Sequence, residues 1–323
     1  MLGKLSLLIL ITMIATAYSL HPPLAAEAAP QTAWRSQRAP GFYRFRLGDF
    51  RVTVLSDGIA VRDLSKIMSK PAVVREAYAA SHQTLPVALS INCYLIDTGA
   101  QQILVDTGAG EIFGRSAGYL VENLRAAGYD PEDIDNVLLT HIHADHSGGL
   151  SVGGKLVFPN ALVYVDQRDP ALWLSQDASA RAPRAWHTTF TQSHQTMDPV
   201  VRAGKLRRFN GGNELFPGIR SVPEYGHTPG HSGYLVKSRG QRLLVWGDVV
   251  HSAEVQFKHP IVTIAYDVDP AEAVRSRRRA LREAAQQGYL VGGAHLSFPG
   301  LGHVRLDSCG YAWAPIPYGA NDK

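Results

Sequence analysis

The sequence predicts an α/β fold of packed sheets with outer helices, and three observations predict it. Short apolar strands alternate with helical segments that carry recognisable caps. The chemically loaded residues sit where strands run into loops, the usual place for α/β sites. Over 323 residues, 45% are apolar and 19% charged, which is ordinary globular composition and excludes a disordered or fibrous chain.

The elements follow in order. Residues 1–28 read as a signal peptide. Met1 to Lys4 gives a short positive start, Leu5 to Ala17 is mostly apolar, and Ala26-Glu27-Ala28 fits a cleavage site. No arginine pair precedes the apolar run, so the general secretory route is expected, with a periplasmic or secreted product; an uncleaved anchor is the alternative. Residues 29–40 read as a flexible leader and 41–323 as the folded domain. Tyr43–Leu47 and Phe50–Leu55 alternate around Gly48-Asp49, a hairpin signal. Residues 62–88 are less regular and partly helical, a candidate flap. Ile91–Thr98 and Gln102–Thr107 form the next strand pair. Gly118–Ala127 reads as a helix closed by Gly128. Asn136–Thr140 and Ala161–Val165 are short strands, with a helix expected near Pro170. Ile219–Val222, Gly233–Lys237 and Arg242–Trp246 are strands. Asp269 caps a helix with Pro270 in its first turn and Gly288 at its end. Arginines 275, 277, 278, 279 and 282 on it read as a solvated face. Tyr289–Val291 is expected to be the last strand.

Charge and cysteine content exclude several classes. Lys and Arg number 32 against 28 Asp and Glu, a formal +4, too weak to argue for nucleic acid or an anionic membrane. Two cysteines, Cys93 and Cys309, exclude a disulfide scaffold and a Cys-rich metal site. They are either a pair or free thiols, with Cys93 buried among strand residues.

Histidine is the departure. The strand ending at Thr140 runs into His141-Ile142-His143-Ala144-Asp145-His146. Residues two apart in extended chain point the same way, so His141 and His143 can hold one ion together. Asp145 and His146 lie where the chain turns into a helix and can face a second ion. Imidazole and carboxylate suit zinc, manganese, cobalt or iron, and no thiolate is offered. Further donors end later strands: His227 in Gly226-His227-Thr228-Pro229-Gly230-His231, Asp248 in Trp246-Gly247-Asp248, and His295 in Gly293-Ala294-His295. Together these supply enough donors for two ions sharing one carboxylate. Two such ions about 3.5–4 Å apart can share a water, lower its pKa and polarise the bond it attacks. The expected chemistry is therefore hydrolysis. No serine or cysteine near the cluster is arranged as a nucleophile.

These motifs resemble those of the metallo-β-lactamase fold from about Phe45 to Tyr311, including Asp57 in Ser56-Asp57-Gly58 and Asp106 in Val105-Asp106-Thr107-Gly108. The resemblance implies an αββα sandwich. It places His141, His143 and His227 on one ion, Asp145, His146 and His295 on the other, and Asp248 between them. His231 is expected to be structural, and Asp57 and Asp106 to orient ligands. The segments Gly108–Gly114, Trp246–His251, Val255–Phe257 and Ala294–His303 are similar to methyl parathion hydrolase and its secreted relatives, which hydrolyse organophosphate triesters or open lactones. Phe113, Trp173 and Phe190 fall where that branch carries aromatic pocket residues.

The resemblance implies a secreted enzyme with two divalent ions, most simply zinc. It would act on small organophosphate triesters, lactones or esters through a hydroxide held between the ions, with Asp145 or Asp248 taking the proton. It implies no stable membrane insertion, and a homodimer by family alone. Acyl-homoserine lactonase activity is the first alternative. The cytosolic lactonases carry a tyrosine three residues after the bridging aspartate, where this chain has His251. An alternative of another class is a catalytically silent metal-binding or sensor protein of the same fold.

Overall fold

The computed structural model describes residues 39–319; the expected signal peptide and most of the expected leader lie outside them. Two seven-stranded sheets share a core. In the first, the order is β1 (Phe42–Leu47), β2 (Phe50–Arg62), β3 (Val87–Asp97), β4 (Gln102–Val105), β5 (Asn136–Leu138), β8 (Leu162–Asp166) and β9 (Leu206–Phe209). The short ribbon of β6 (Ser151–Val152) and β7 (Lys155–Leu156) stands apart from both sheets. In the second sheet, β10 (Glu214–Phe216), β11 (Ile219–Pro223), β12 (Ser232–Ser238), β13 (Gln241–Val245), β14 (Leu290–Gly292), β15 (Leu301–Asp307) and β16 (Gly310–Pro315) lie in chain order.

Strand periodicity explains the layers. In β3, Tyr94 and Ile96 enter the core between the sheets while Cys93 and Leu95 point to the opposite face. In β4 and β5, Ile103, Val105 and Leu138 face the second sheet, and Leu104 and Val137 face away. In β13, Leu243 and Val245 face inward and Leu244 outward. Both faces of these strands are buried, which is why they read as continuous apolar runs. Helices Leu120–Ala126 and His187–Arg202 cover the first sheet, and helix Pro270–Gln287 covers the second. This is the αββα sandwich. Among the described residues, no helix is long and apolar enough to cross a membrane.

Several details differ from the sequence reading. Strand β2 runs on to Arg62 through a bulge between Ser56 and Gly58. Residues 62–88 hold two helices, Leu64–Ile67 and Pro71–Ala80, before β3 begins. Tyr289–Val291 is not the last strand, because β15 and β16 follow it. Their outer residues face solvent, Leu306 strongly, so they carry no continuous apolar signal. Cys93 and Cys309 are both free, the first buried and the second exposed. Helix Pro270–Gln287 forms as its caps predict: Asp269 accepts from the Glu272 amide at 2.9 Å, and Gly288 closes it in the left-handed region. Its arginines, however, are not one solvated face, since Arg277 is buried.

Candidate metal centre

The site forms where β4, β5, β11, β13 and β14 end and their loops meet. At the end of β4, Asp106 adopts φ 60°, a left-handed conformation that aspartate tolerates better than most residues. That twist carries its carboxylate under the next loop. It accepts from the Thr140 amide at 2.7 Å, the Thr140 hydroxyl at 2.8 Å and His146 Nδ1 at 2.8 Å. With Nδ1–H donated to Asp106, His146 turns its Nε2 toward the site, the atom an ion would take. The same logic sets three more rings. His141 Nδ1 meets the Thr140 hydroxyl at 3.0 Å, His227 Nδ1 meets Asp267 at 2.9 Å, and His295 Nδ1 meets the Ser90 carbonyl at 2.8 Å.

Asp248 lies at the centre, with both oxygens among the histidines. Oδ1 is 3.1 Å from His146 Nε2 and 3.2 Å from His295 Nε2, which is also 3.3 Å from Oδ2. Oδ2 is 3.3 Å from His227 Nε2 and 3.8 Å from His141 Nε2. His143 Nδ1 lies 3.2 Å from His227 Nε2. Asp145 reaches toward the first group, 3.6 Å from His295 and 3.8 Å from His146. Two donor sets thus stand side by side: His141, His143 and His227, and Asp145, His146 and His295.

This donor set fits divalent metal. His141 Nε2, His146 Nε2 and Asp248 Oδ1 are buried with no hydrogen-bond partner, a costly arrangement unless a cation takes their lone pairs. Burial, helped by the neighbouring rings, pushes His141 well below the ordinary histidine range. Burial does the same to His143, with His227 adding to it, so both rings are neutral and able to bind metal. Burial would raise Asp248, but His146, His295 and His251 more than reverse it and hold the carboxylate ionised.

The remaining expected residues separate by role. His231 packs edge-on against the His141 and His227 rings, at 5.1 and 5.6 Å, but has no nitrogen left for an ion. Its Nδ1 donates to the Glu224 carbonyl at 2.8 Å, and its Nε2 accepts the Asp248 amide at 2.9 Å, so it fixes the backbone of that residue. Gly247 has φ 58°, and a Cβ there would sit 2.6 Å from His231 Nε2, so the turn needs glycine. Asp57 does not reach the histidines. Its carboxylate gathers the amides of Ala109, Gly118 and Leu120 at 2.8–3.1 Å, which shapes the loop after β4. Burial raises it to about 6 against those three bonds.

A cavity of about 390 Å³ opens over the donors, lined in part by His143, Asp145, Asp248, His251 and His295. Phe113 and Trp173 are in its wall. Phe190 is not: it is buried behind Trp173, with ring centroids 5.0 Å apart. Trp173 also packs against His143 at 5.5 Å, so one side chain shapes the cavity and steadies a donor. The wall gains Trp186, Leu89 and Tyr266, and Arg62, whose guanidinium lies 5.1 Å over the Phe113 ring.

Sequence reasoning missed three positioning residues. Asp169 is buried and accepts from the Ile142 amide at 2.8 Å and the Gly230 amide at 2.7 Å, tying two donor loops together. Asp267 orients His227, and Arg277 braces the Asp248 loop. A carboxylate before a proline or a helix cap has no local signature of such work. In the sequence His251 stands out only as a departure from tyrosine. It lies in the cavity wall with Nε2 3.1 Å from Asp248 Oδ2, stacked on His295 at 5.4 Å.

An αββα sandwich with two histidine–aspartate donor sets at the strand ends of both sheets defines a metal-dependent hydrolase. The profile of the Metallo-beta-lactamase superfamily matches residues 86–295, and the chain belongs to that superfamily. An N-acyl homoserine lactonase from Bacillus sp. is 24% identical over 220 residues, covering 62% of this chain and 78% of the relative. Among solved structures, the hydrolase AbOPH, described as in the beta lactamase superfamily, is 34% identical. It superposes with a TM-score of 0.83 over 88% of this chain and all of that one. AidC, a dizinc quorum-quenching lactonase in complex with a product, is 25% identical with a TM-score of 0.81 over 86% of this chain and 98% of that one.

Proposed function

We propose that this hydrolase opens lactones and cleaves related carboxylic esters, with organophosphate triesters as secondary substrates. The observation that carries the reading is Asp248 within reach of both donor sets on the floor of an aromatic-walled cavity. The lactonase relatives support the lactone class. The aromatic wall suits a compact apolar substrate with one polar reacting bond.

His141, His143 and His227 would hold one divalent ion and Asp145, His146 and His295 the other, with Asp248 shared and zinc the simplest choice. Bound there, the ions would supply an activated water and charge stabilisation for the attacked carbonyl or phosphoryl group. The protein's own share is positioning and proton handling. Asp248 is enclosed by histidines on both oxygens and serves to hold the sets together. Asp145 is the more exposed carboxylate and faces the cavity, so it is the one placed to take a proton from the attacking water. Phe113 and Trp173 hold the apolar part of the substrate, and Phe190 acts only by supporting Trp173. The chain is further proposed to be exported after cleavage behind Ala28, which the mass of the periplasmic protein would reveal.

The test is a side-by-side kcat/KM comparison on one metal-assayed preparation, using an acyl-homoserine lactone, an aromatic lactone, an aryl ester and methyl paraoxon. Lactones ahead by tenfold or more are expected. Methyl paraoxon ahead would move the phosphotriester reading to the front. No turnover of any of them, with metal bound, would favour the silent metal-binding protein.

A further inference from the structure

Helix Pro270–Gln287 carries five arginines, and they divide. Arg275, Arg278 and Arg282 are exposed, whereas Arg277 is buried and Arg279 half-buried. The two inward arginines connect to the two backbone flanks of Asp248, Arg277 directly through Val249 and Arg279 through Glu224 and His231. Arg277 Nε donates to the Val249 carbonyl at 2.6 Å, the first carbonyl after Asp248. Its NH1 donates to the carbonyls of Pro260 and Val262 at 3.0 and 2.9 Å. Those carbonyls lie in the segment leading to Asp267, which holds His227. Arg279 NH2 donates to the Glu224 carboxyl oxygen at 2.8 Å. The Glu224 carbonyl accepts His231 Nδ1, and His231 Nε2 accepts the Asp248 amide.

Burying a guanidinium against carbonyls is costly, and an apolar side chain of similar volume would fill the space more cheaply. Arg277 makes no ion pair among the described residues. What the fork does that an apolar chain cannot is satisfy three carbonyls from two loops at once. We propose that helix Pro270–Gln287 positions the shared carboxylate of the metal centre, with Arg277 and Arg279 acting as positioning residues on the two backbone flanks of Asp248. The inference rests on the metal-centre reading above. It makes affinity for the ions depend on side chains outside the ligand set. Supporting groups of this kind typically change metal affinity 10–100-fold when removed.

The experiment compares wild type with R277M, R277K, R279M and the surface control R278M as full-length proteins. Zinc stoichiometry and affinity are measured by chelator competition, and folding by circular dichroism and thermal melting without added metal. R277M is expected to stay folded and bind at least one zinc about tenfold more weakly. R277K should recover part of the loss, because a single ammonium cannot span three carbonyls. R279M should weaken zinc less, about threefold, and R278M not at all. Wild-type zinc affinity in folded R277M and R279M would overturn the proposal. Should R277M fail to fold, R279M and R277K decide: both binding zinc like wild type would equally overturn it. A wild type that binds no zinc would instead refute the metal-centre reading, and the brace with it.

Discussion

The two halves of the centre are built differently. The first half comes from one six-residue run, His141 to His146, and is braced by two buried carboxylates. Asp106 fixes His146 and Asp169 fixes the Ile142 amide between the first two histidines. The second half collects His227, Asp248 and His295 from three loops of the second sheet. It is braced by Asp267, by His231 and by arginines from a helix on the far side of that sheet. A contiguous run needs only local geometry to converge. A dispersed set converges only if the whole sheet and its covering helix are in place, so its precision depends on long-range packing.

The strongest way to break the comparison is to remove the residue of the second half that also faces the first. Asp248→Ala should lose one ion per chain and lower kcat on the order of 10³-fold or more. Metal analysis with steady-state kinetics checks it, and full metal with retained turnover would sink the assignment. The next perturbations test each half alone. Asp106→Ala should free His146 and weaken zinc binding about 10–100-fold, and Asp267→Ala should do the same through His227. Asp106→Ala should lower the melting temperature at least as much as Asp267→Ala, because Asp106 also accepts the Thr140 amide and hydroxyl, whereas Asp267 also accepts only the Ile264 amide.

Smaller effects sharpen the picture at its edges. Trp173→Ala removes a fully buried ring that contacts His143 and Phe190, and should destabilise the fold by about 3–5 kcal/mol. It should also raise KM for apolar substrates more than it lowers kcat, read from unfolding curves and saturation kinetics. The smallest effect is a pH dependence. Burial raises Glu224 from 4.5 to about 8, with Arg279 opposing. Between those values the folded chain holds a proton that the unfolded chain has released. This group's contribution is therefore full below about 4.5 and is lost as pH rises toward 8. Glu224→Gln, which keeps an acceptor for Arg279, should flatten that slope in denaturant melts at several pH values; an unchanged slope would assign it to other groups.

The same contrast decides what could be read in the sequence. Four donors in six positions after an apolar strand are legible because the code is local. His227, Asp248 and His295 were legible one step further, since each follows a strand within two residues of a glycine. Asp169, Asp267 and Arg277 were not. The partners that matter lie far along the chain: the Ile142 and Gly230 amides for Asp169, the His227 ring for Asp267, and the Val249 carbonyl for Arg277, 28 residues apart. Arg277 also sits among four other arginines, where helical spacing alone cannot say which one turns inward. Strands β15 and β16 escaped because their exposed residues break the apolar pattern. Helix His187–Arg202 escaped because threonine, serine and histidine are weak helix formers and Pro199 lies inside it. It holds because Phe190, Met197 and Val200 are buried against the first sheet.

The most direct test of the central claim is a crystal structure of the zinc-loaded protein with anomalous scattering recorded at the metal edge. The account predicts two peaks on either side of Asp248. One should be bound by His141, His143 and His227, the other by Asp145, His146 and His295, with one Asp248 oxygen on each. A single peak, or two peaks of which either lies away from Asp248, would contradict it.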